Sequence, residues 1–177
     1  MVERLIERIR NHDQRAMSEL YQRYIGMLSS VCYRYVPSEP DAKDVLQNSF
    51  VKIFTSIPSF DYRGDEAFEG WMVKIVVNEA LNFLRDRKKL QFAAQEAAQE
   101  QVVEDEEPDA GLISPDELHR LIQQLPDGYR TVLNLYVFEG HSHKQIAAML
   151  GISQSTSGSQ LYFAKQWLAK KINAMKE

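Results

Sequence analysis

The sequence predicts an all-α protein of two small helical domains joined by a flexible acidic linker, the second domain carrying a helix-turn-helix. Three observations lead there. Apolar residues recur at spacings of three and four along most of the chain, the period of a helix with one buried face. Eight Gly and six Pro among 177 residues are too few for the dense turns of an all-β protein. Charge is also unevenly placed: residues 1–90 carry a net +1, residues 91–118 hold nine acidic and no basic side chains, and residues 119–177 carry a net +4. The formal total of −4 by itself argues against a nucleic-acid partner, whose binders carry basic patches. Resolved by position, that objection lapses, because the whole deficit lies in one stretch. The predicted boundaries are 1–90, a linker over 91–113, and 114–177.

At 44% hydrophobic and 26% charged, the composition is that of a globular chain rather than a disordered one. The single cysteine, Cys32, excludes an intramolecular disulfide and a multi-cysteine zinc site. Charges interrupt every short apolar run from Met1 to Arg8, so no signal peptide is expected. No run approaches the roughly 18–20 apolar residues of a membrane span, and the expected location is cytoplasmic.

In the first domain, Leu20, Tyr24, Leu28 and Val31 line one face of a long helix that Asp13 is placed to cap. Pro37-Ser38-Glu39-Pro40 breaks the chain, and Pro40 suits a first helical turn. A second amphipathic helix follows from Asp41, with Val45, Leu46, Ser49, Phe50, Ile53 and Phe54 inward and Asp41, Lys43, Asp44, Gln47, Asn48 and Lys52 outward. Ile57-Pro58 ends it, a loop runs to Asp65, and a third helix turns Phe68, Met72, Ile75 and Val76 inward before a basic end at Arg85 to Lys89.

In the second domain, Ser114-Pro115-Asp116-Glu117 has the form of a capping box. Leu118, Leu121, Ile122 and Leu125 follow as an apolar stripe ended by Pro126. Asp127 is the expected cap of the next helix, with Val132, Leu133, Tyr136 and Val137 as core and Gly140 as its end. A short helix over 142–150 closes on Gly151, a left-handed terminator. Ser153 then caps a long helix from Gln154 through Leu161, Ala164, Leu168 and Ile172. Short helix, glycine turn and second helix with a polar leading end form a helix-turn-helix. Its leading residues, Gln154, Ser155, Thr156, Ser157, Ser159 and Gln160, supply hydroxyls and amides of the kind that reach base edges and phosphates.

Two further clusters carry chemistry. Phe60, Tyr62, Phe68 and Trp71 lie close in sequence to Arg63, Lys74, Arg85 and Arg87. Aromatic faces stack unpaired bases while cations follow the phosphates; the residues alone leave open whether Phe68 and Trp71 do this or simply pack the core. His141 and His143 have neither a neighbouring Cys nor a third ligand in sight, so no metal is expected. No phosphate loop, nucleophile elbow or catalytic carboxylate pair is present, and neither an enzyme nor a cofactor is expected.

Three segments in order resemble the extracytoplasmic-function (ECF) sigma factors of bacterial RNA polymerase. Asp41 to Lys52 is similar to that family's core-polymerase-binding helix. Phe60 to Gly64, with Trp71 to Asn78, is similar to its promoter-melting and −10-reading segment. Leu125 to Arg130 with Leu133 and Leu135, then Glu139-Gly140 and Ile146 to Ser153, is similar to its −35-binding domain. The resemblance implies core RNA polymerase and promoter DNA as partners, with an anti-sigma factor as the inhibitor. It implies polymerase docking through Asp41, Asp44, Gln47, Asn48 and Lys52. It implies −10 contacts by Phe60, Tyr62, Arg63, Phe68, Trp71, Lys74, Asn78 and Arg85, and −35 contacts by Arg130, Lys144, Lys165 and the polar leading residues just named. Gly158 and Gln160 stand where the family often has basic residues. The rival reading is an autonomous helix-turn-helix regulator.

Overall fold

The computed structural model describes residues 1–87, 108–109, 111 and 113–175, so nearly all of the expected linker lies outside the described residues. The chain divides into two compact units, Met1–Asp86 and Arg87–Glu177. Among the described residues there is no strand, and no helix is long and apolar enough to cross a membrane.

The first unit contains α1 (Val2–Arg10), α2 (Gln14–Tyr35), α3 (Glu39–Ser56), a 3-10 turn (Ile57–Ser59) and α4 (Asp65–Asp86). Helices α2, α3 and α4 pack against one another and α1 lies on α2. Helix α1 was not foreseen. Its charged residues hide a spacing of three and four, and Val2, Leu5, Ile6 and Ile9 are all buried. Asp13 caps α2 as expected, accepting from the amides of Arg15 and Ala16 at 2.9 and 3.2 Å. It also pairs with Arg8 at 2.9 Å, tying the end of α1 to the start of α2. Leu20, Tyr24, Leu28, Ile53, Phe68, Met72 and Leu84 form the core of this unit. Cys32 is buried there, and desolvation pushes its thiol up to about 12.

The second unit contains α5 (Pro115–Gln124), α6 (Asp127–Leu133), a π-helical turn (Asn134–Phe138), α7 (His143–Leu150) and α8 (Gln154–Ala174). Helix α8 packs on α6 and α7 around Leu133, Leu135, Ile146, Leu161 and Leu168. The capping box at Ser114 and Glu117 forms, with the Ser114 amide donating to the Glu117 carboxylate at 2.9 Å. Two expectations fail here. Asp127 is the first helical residue rather than a cap, and its carboxylate faces Arg130. Tyr136 and Val137 lie outside the core, at 40% and 54% exposure. The reason is the π turn: its i→i+5 bond from the Glu139 amide to the Asn134 carbonyl fits extra residues into one turn, which rotates Tyr136, Val137 and Phe138 outward.

Candidate nucleic-acid interface

The loop between the 3-10 turn and α4 begins at Phe60, whose amide donates to the Ile57 carbonyl at 3.1 Å. It ends at Gly64, where φ of +112° requires glycine. The loop is also held from outside: Arg10 of α1 donates to the Phe60 carbonyl. Tyr62 donates to the Asp65 carboxylate, and that bond pushes the phenol up to about 12. Arg63 and Asp61 pair at 2.9 Å in full solvent.

This loop lays Phe60 against Trp71 of α4, with ring centroids 4.5 Å apart. Both rings sit over Phe68, at 5.3 and 5.6 Å. The open question about the aromatics therefore has a divided answer. Phe68 is fully buried and is a core residue, so its expected DNA contact is corrected: its ring supports the other two. Phe60 and Trp71 are half-exposed and form an aromatic rim. From Trp71, α4 carries a stripe of Asn78, Asn82 and Arg85, all exposed, with Lys74 exposed beside it; Ile75, expected inward, is half-exposed on the same side. Cations and amides thus continue directly from the rim.

On α3, Asp44, Gln47 and Asn48 are exposed and Asp41 half-exposed, as the amphipathic pattern foresaw. Lys52 is exposed on the same face, with its ammonium paired to Glu79 of α4. Beside the polar face runs an apolar groove of about 640 Å3 between α2 and α3, lined by Tyr21, Ile25, Tyr33, Phe50 and Phe54, with Lys43 and Gln47 among its polar lining. The sequence reading missed this groove: Phe50 is buried as expected, but Phe54, also assigned inward, is half-exposed in the groove.

In the helix-turn-helix, the Ser142–Gln145 capping box opens α7. Gly151 ends it at φ 67° and ψ 35°. Ser153 caps α8, accepting from the Thr156 amide at 3.0 Å, and its hydroxyl lies 2.9 Å from that of Thr156. Gln154, Ser155 and Ser159 are exposed, Gly158 is half-exposed, and Lys144 is exposed on α7. Tyr162 continues the stripe at the next turn, half-exposed, and its four-residue offset from Gly158 was the available signal.

Three residues assigned to the −35 contact are inside. Ser157 is fully buried, its Oγ 2.8 Å from Nδ1 of His143, whose ring stacks on Tyr136 at 4.7 Å. Gln160 is 4% exposed. Arg130 is 3% exposed, donates to the Leu125 carbonyl at 2.7 Å and pairs with Asp127. Burial lowers its affinity for the proton while Asp127 opposes that. All three sit on the inward side of their helices and offer little surface to DNA. Lys165 is half-exposed further along α8.

Two helical units, one with an aromatic-polar strip and one with a helix-turn-helix, define a DNA-reading protein built for both duplex and unpaired strand. The sigma-70 region 2 family model matches residues 20–90, and the sigma-70 region 4 model matches residues 116–168. The chain is 31% identical over 186 residues to the ECF RNA polymerase sigma-E factors of Salmonella typhimurium and Escherichia coli, spanning 97% of this chain and 94% of each relative. It is 29% identical over 184 residues to the RNA polymerase sigma-H factor of Pseudomonas aeruginosa, covering 98% and 94%. The solved structure of CnrH in complex with the cytosolic domain of CnrY shares the fold, with a TM-score of 0.50 and 22% identity over 96% of both chains. The chain belongs to the ECF sigma factors of the sigma-70 family, and it directs promoter-specific transcription initiation.

Proposed function

We propose that the first unit docks on the clamp coiled coil of the largest core-polymerase subunit through the polar face of α3, with Asp41, Asp44, Gln47 and Asn48 as its contacts and the adjoining apolar groove taking part. The half-exposed Phe60–Trp71 pair then receives an unstacked base of the −10 element, and Lys74, Asn78 and Arg85 hold the strand that carries it. Unstacking and flipping a base costs a few kcal/mol, offset by stacking worth about 1–3 kcal/mol per base and by hydrogen bonds. Tyr62 and Arg63 border this rim from the loop. In the second unit, the exposed start of α8 enters the −35 major groove with Gln154, Ser155 and Ser159, while Lys144 and Lys165 meet phosphates. An anti-sigma factor covers these surfaces when the protein is held inactive.

The observation that carries this reading is the aromatic rim over a buried Phe68, continuous with a polar stripe on α4. A domain using the same helices only to dimerise would present an apolar stripe there. The test reconstitutes the protein with core polymerase on a promoter library and maps start sites. Selection of promoters sharing −10 and −35 sequences is expected, and Trp71→Ala should abolish opening while leaving polymerase association intact. A protein that associates with no polymerase and selects no start site would overturn it.

A further inference from the structure

Helix α1 takes no part in the surfaces described so far, yet its last residue reaches the loop before α4. The guanidinium of Arg10 donates to the carbonyl of Phe60, 50 positions along the chain. The Phe60 amide donates to the Ile57 carbonyl at 3.1 Å, so both backbone polar groups of this residue are engaged. Its ring lies 4.5 Å from that of Trp71 and is half-exposed. The end of α1 that carries Arg10 is itself firmly held. Ile6 and Ile9 are buried, and α1 packs on α2 and on the 3-10 turn that precedes the loop. Arg8 pairs with Asp13, the cap of α2, and with Glu19 within it, at 2.9 and 3.0 Å. Between the two helices the chain turns at His12, whose φ of 62° is left-handed, and the Asp13 amide donates to the Arg8 carbonyl at 3.1 Å.

We infer that α1 is a positioning arm for base capture: Arg10 fixes the Phe60 backbone so that its ring stands against Trp71 before any DNA arrives. Bonds to both peptide groups of a residue fix the two planes that flank its Cα, and with them the direction in which Cβ projects. The Phe60 ring then keeps only its own torsions, and packing on Phe68 and Trp71 restricts those further. A rim ordered in advance spares the incoming base the entropy of ordering it, and that saving appears as affinity. Arginine suits the task, because its planar fork reaches across from a neighbouring helix and its bond to the carbonyl is charge-assisted. Arg10 acts through Phe60 and touches no base, so it is a positioning residue. The inference rests on the −10 reading proposed above and gives α1 a part in it.

The test titrates reconstituted holoenzyme with the single-stranded non-template −10 segment of a promoter that it selects. Arg10→Ala should weaken this binding about three- to tenfold, the range of one hydrogen bond, with association to core polymerase unchanged. Arg10→Lys restores a cationic donor and should recover most of the loss. With Phe60→Ala no ring is left to position, so adding Arg10→Ala should weaken binding no further. The slope of log affinity against log salt should be the same for Arg10→Ala and the wild type. Additive losses in the double variant would overturn the inference. So would a slope flatter by about 0.7, the value for one phosphate contact on a single strand, which would make Arg10 a direct DNA contact. Unchanged binding by Arg10→Ala would also overturn it and leave the −10 reading standing. If the wild type binds the segment no better than a scrambled strand, the −10 reading itself fails. Should Arg10→Ala lower the melting temperature, Arg10→Met, which keeps an aliphatic stem without a donor, decides in its place.

Discussion

At the scale of single residues, Arg130 separates a packing role from a DNA-binding one. Its guanidinium satisfies the Leu125 carbonyl at the end of α5 and pairs with Asp127 at the start of α6. Arg130→Ala strands that buried carbonyl, and the second unit should lose about 2 kcal/mol of stability, followed by urea unfolding of the full chain. The slope of log affinity for promoter DNA against log salt should not change, because no phosphate contact is lost. A flatter slope with unaltered stability would return Arg130 to the interface. The sequence offered no way to see this. An arginine in a short helix looks the same whether it faces a phosphate or a carbonyl, and the difference is set by which way α6 packs on α8. The same limit hid the Lys52–Glu79 pair, whose partners are 27 positions apart.

At the scale of elements, the caps were legible and the register was not. Asp13, Ser114, Ser153 and Gly151 act within a few residues of themselves, so a local pattern suffices to read them; Asp127, read as a cap by the same logic, is instead the first residue of α6. The π turn answers to packing beyond its own sequence, and it reversed the assignment of Tyr136 and Val137. Two predictions belong here. Asp13 is held below the usual carboxylate range, chiefly by its bond to Arg8 and then by the Ala16 and Arg15 amides. Its pKa is depressed by folding, so its stabilisation is complete above the unfolded value and disappears as pH falls through the folded one. Asp13→Ala should therefore lower the melting temperature at pH 7, and the difference from the parent should vanish in strong acid. A difference that persists at low pH would mean that packing, not charge, is at work.

Gly158 makes the second element-scale case. A Cβ built there meets nothing within 4 Å, and glycine in a helix interior costs about 1 kcal/mol relative to alanine. Gly158→Lys should stiffen α8, tighten promoter binding and steepen the salt slope by about 0.9, the value for one added phosphate contact. An unchanged slope, measured by titrating holoenzyme onto promoter at several salt concentrations, would place this position away from the backbone.

At the scale of the whole molecule, the division into two units was legible from charge alone. The two compact units meet between Asp86 and Arg87. Segments 1–90 and 119–177 carry net charges of +1 and +4, with nine acidic and no basic residues in the stretch 91–118 between them. Neither unit carries the dense basic surface with which an autonomous regulator holds duplex. In the −35 unit the exposed leading residues of α8 are uncharged, since Gln160 is buried and Gly158 bears no side chain. Promoter affinity should thus arise when polymerase engages both units at once, each adding modest binding to a shared complex.

The measurement that tests this most directly compares one promoter duplex titrated with the free full-length chain and with the reconstituted holoenzyme at physiological salt. The free chain should bind at about micromolar or weaker with no preference over scrambled DNA. The holoenzyme should bind the promoter at about nanomolar and discriminate strongly. A free chain that footprints the −35 element at nanomolar concentration would contradict the account and identify an autonomous regulator.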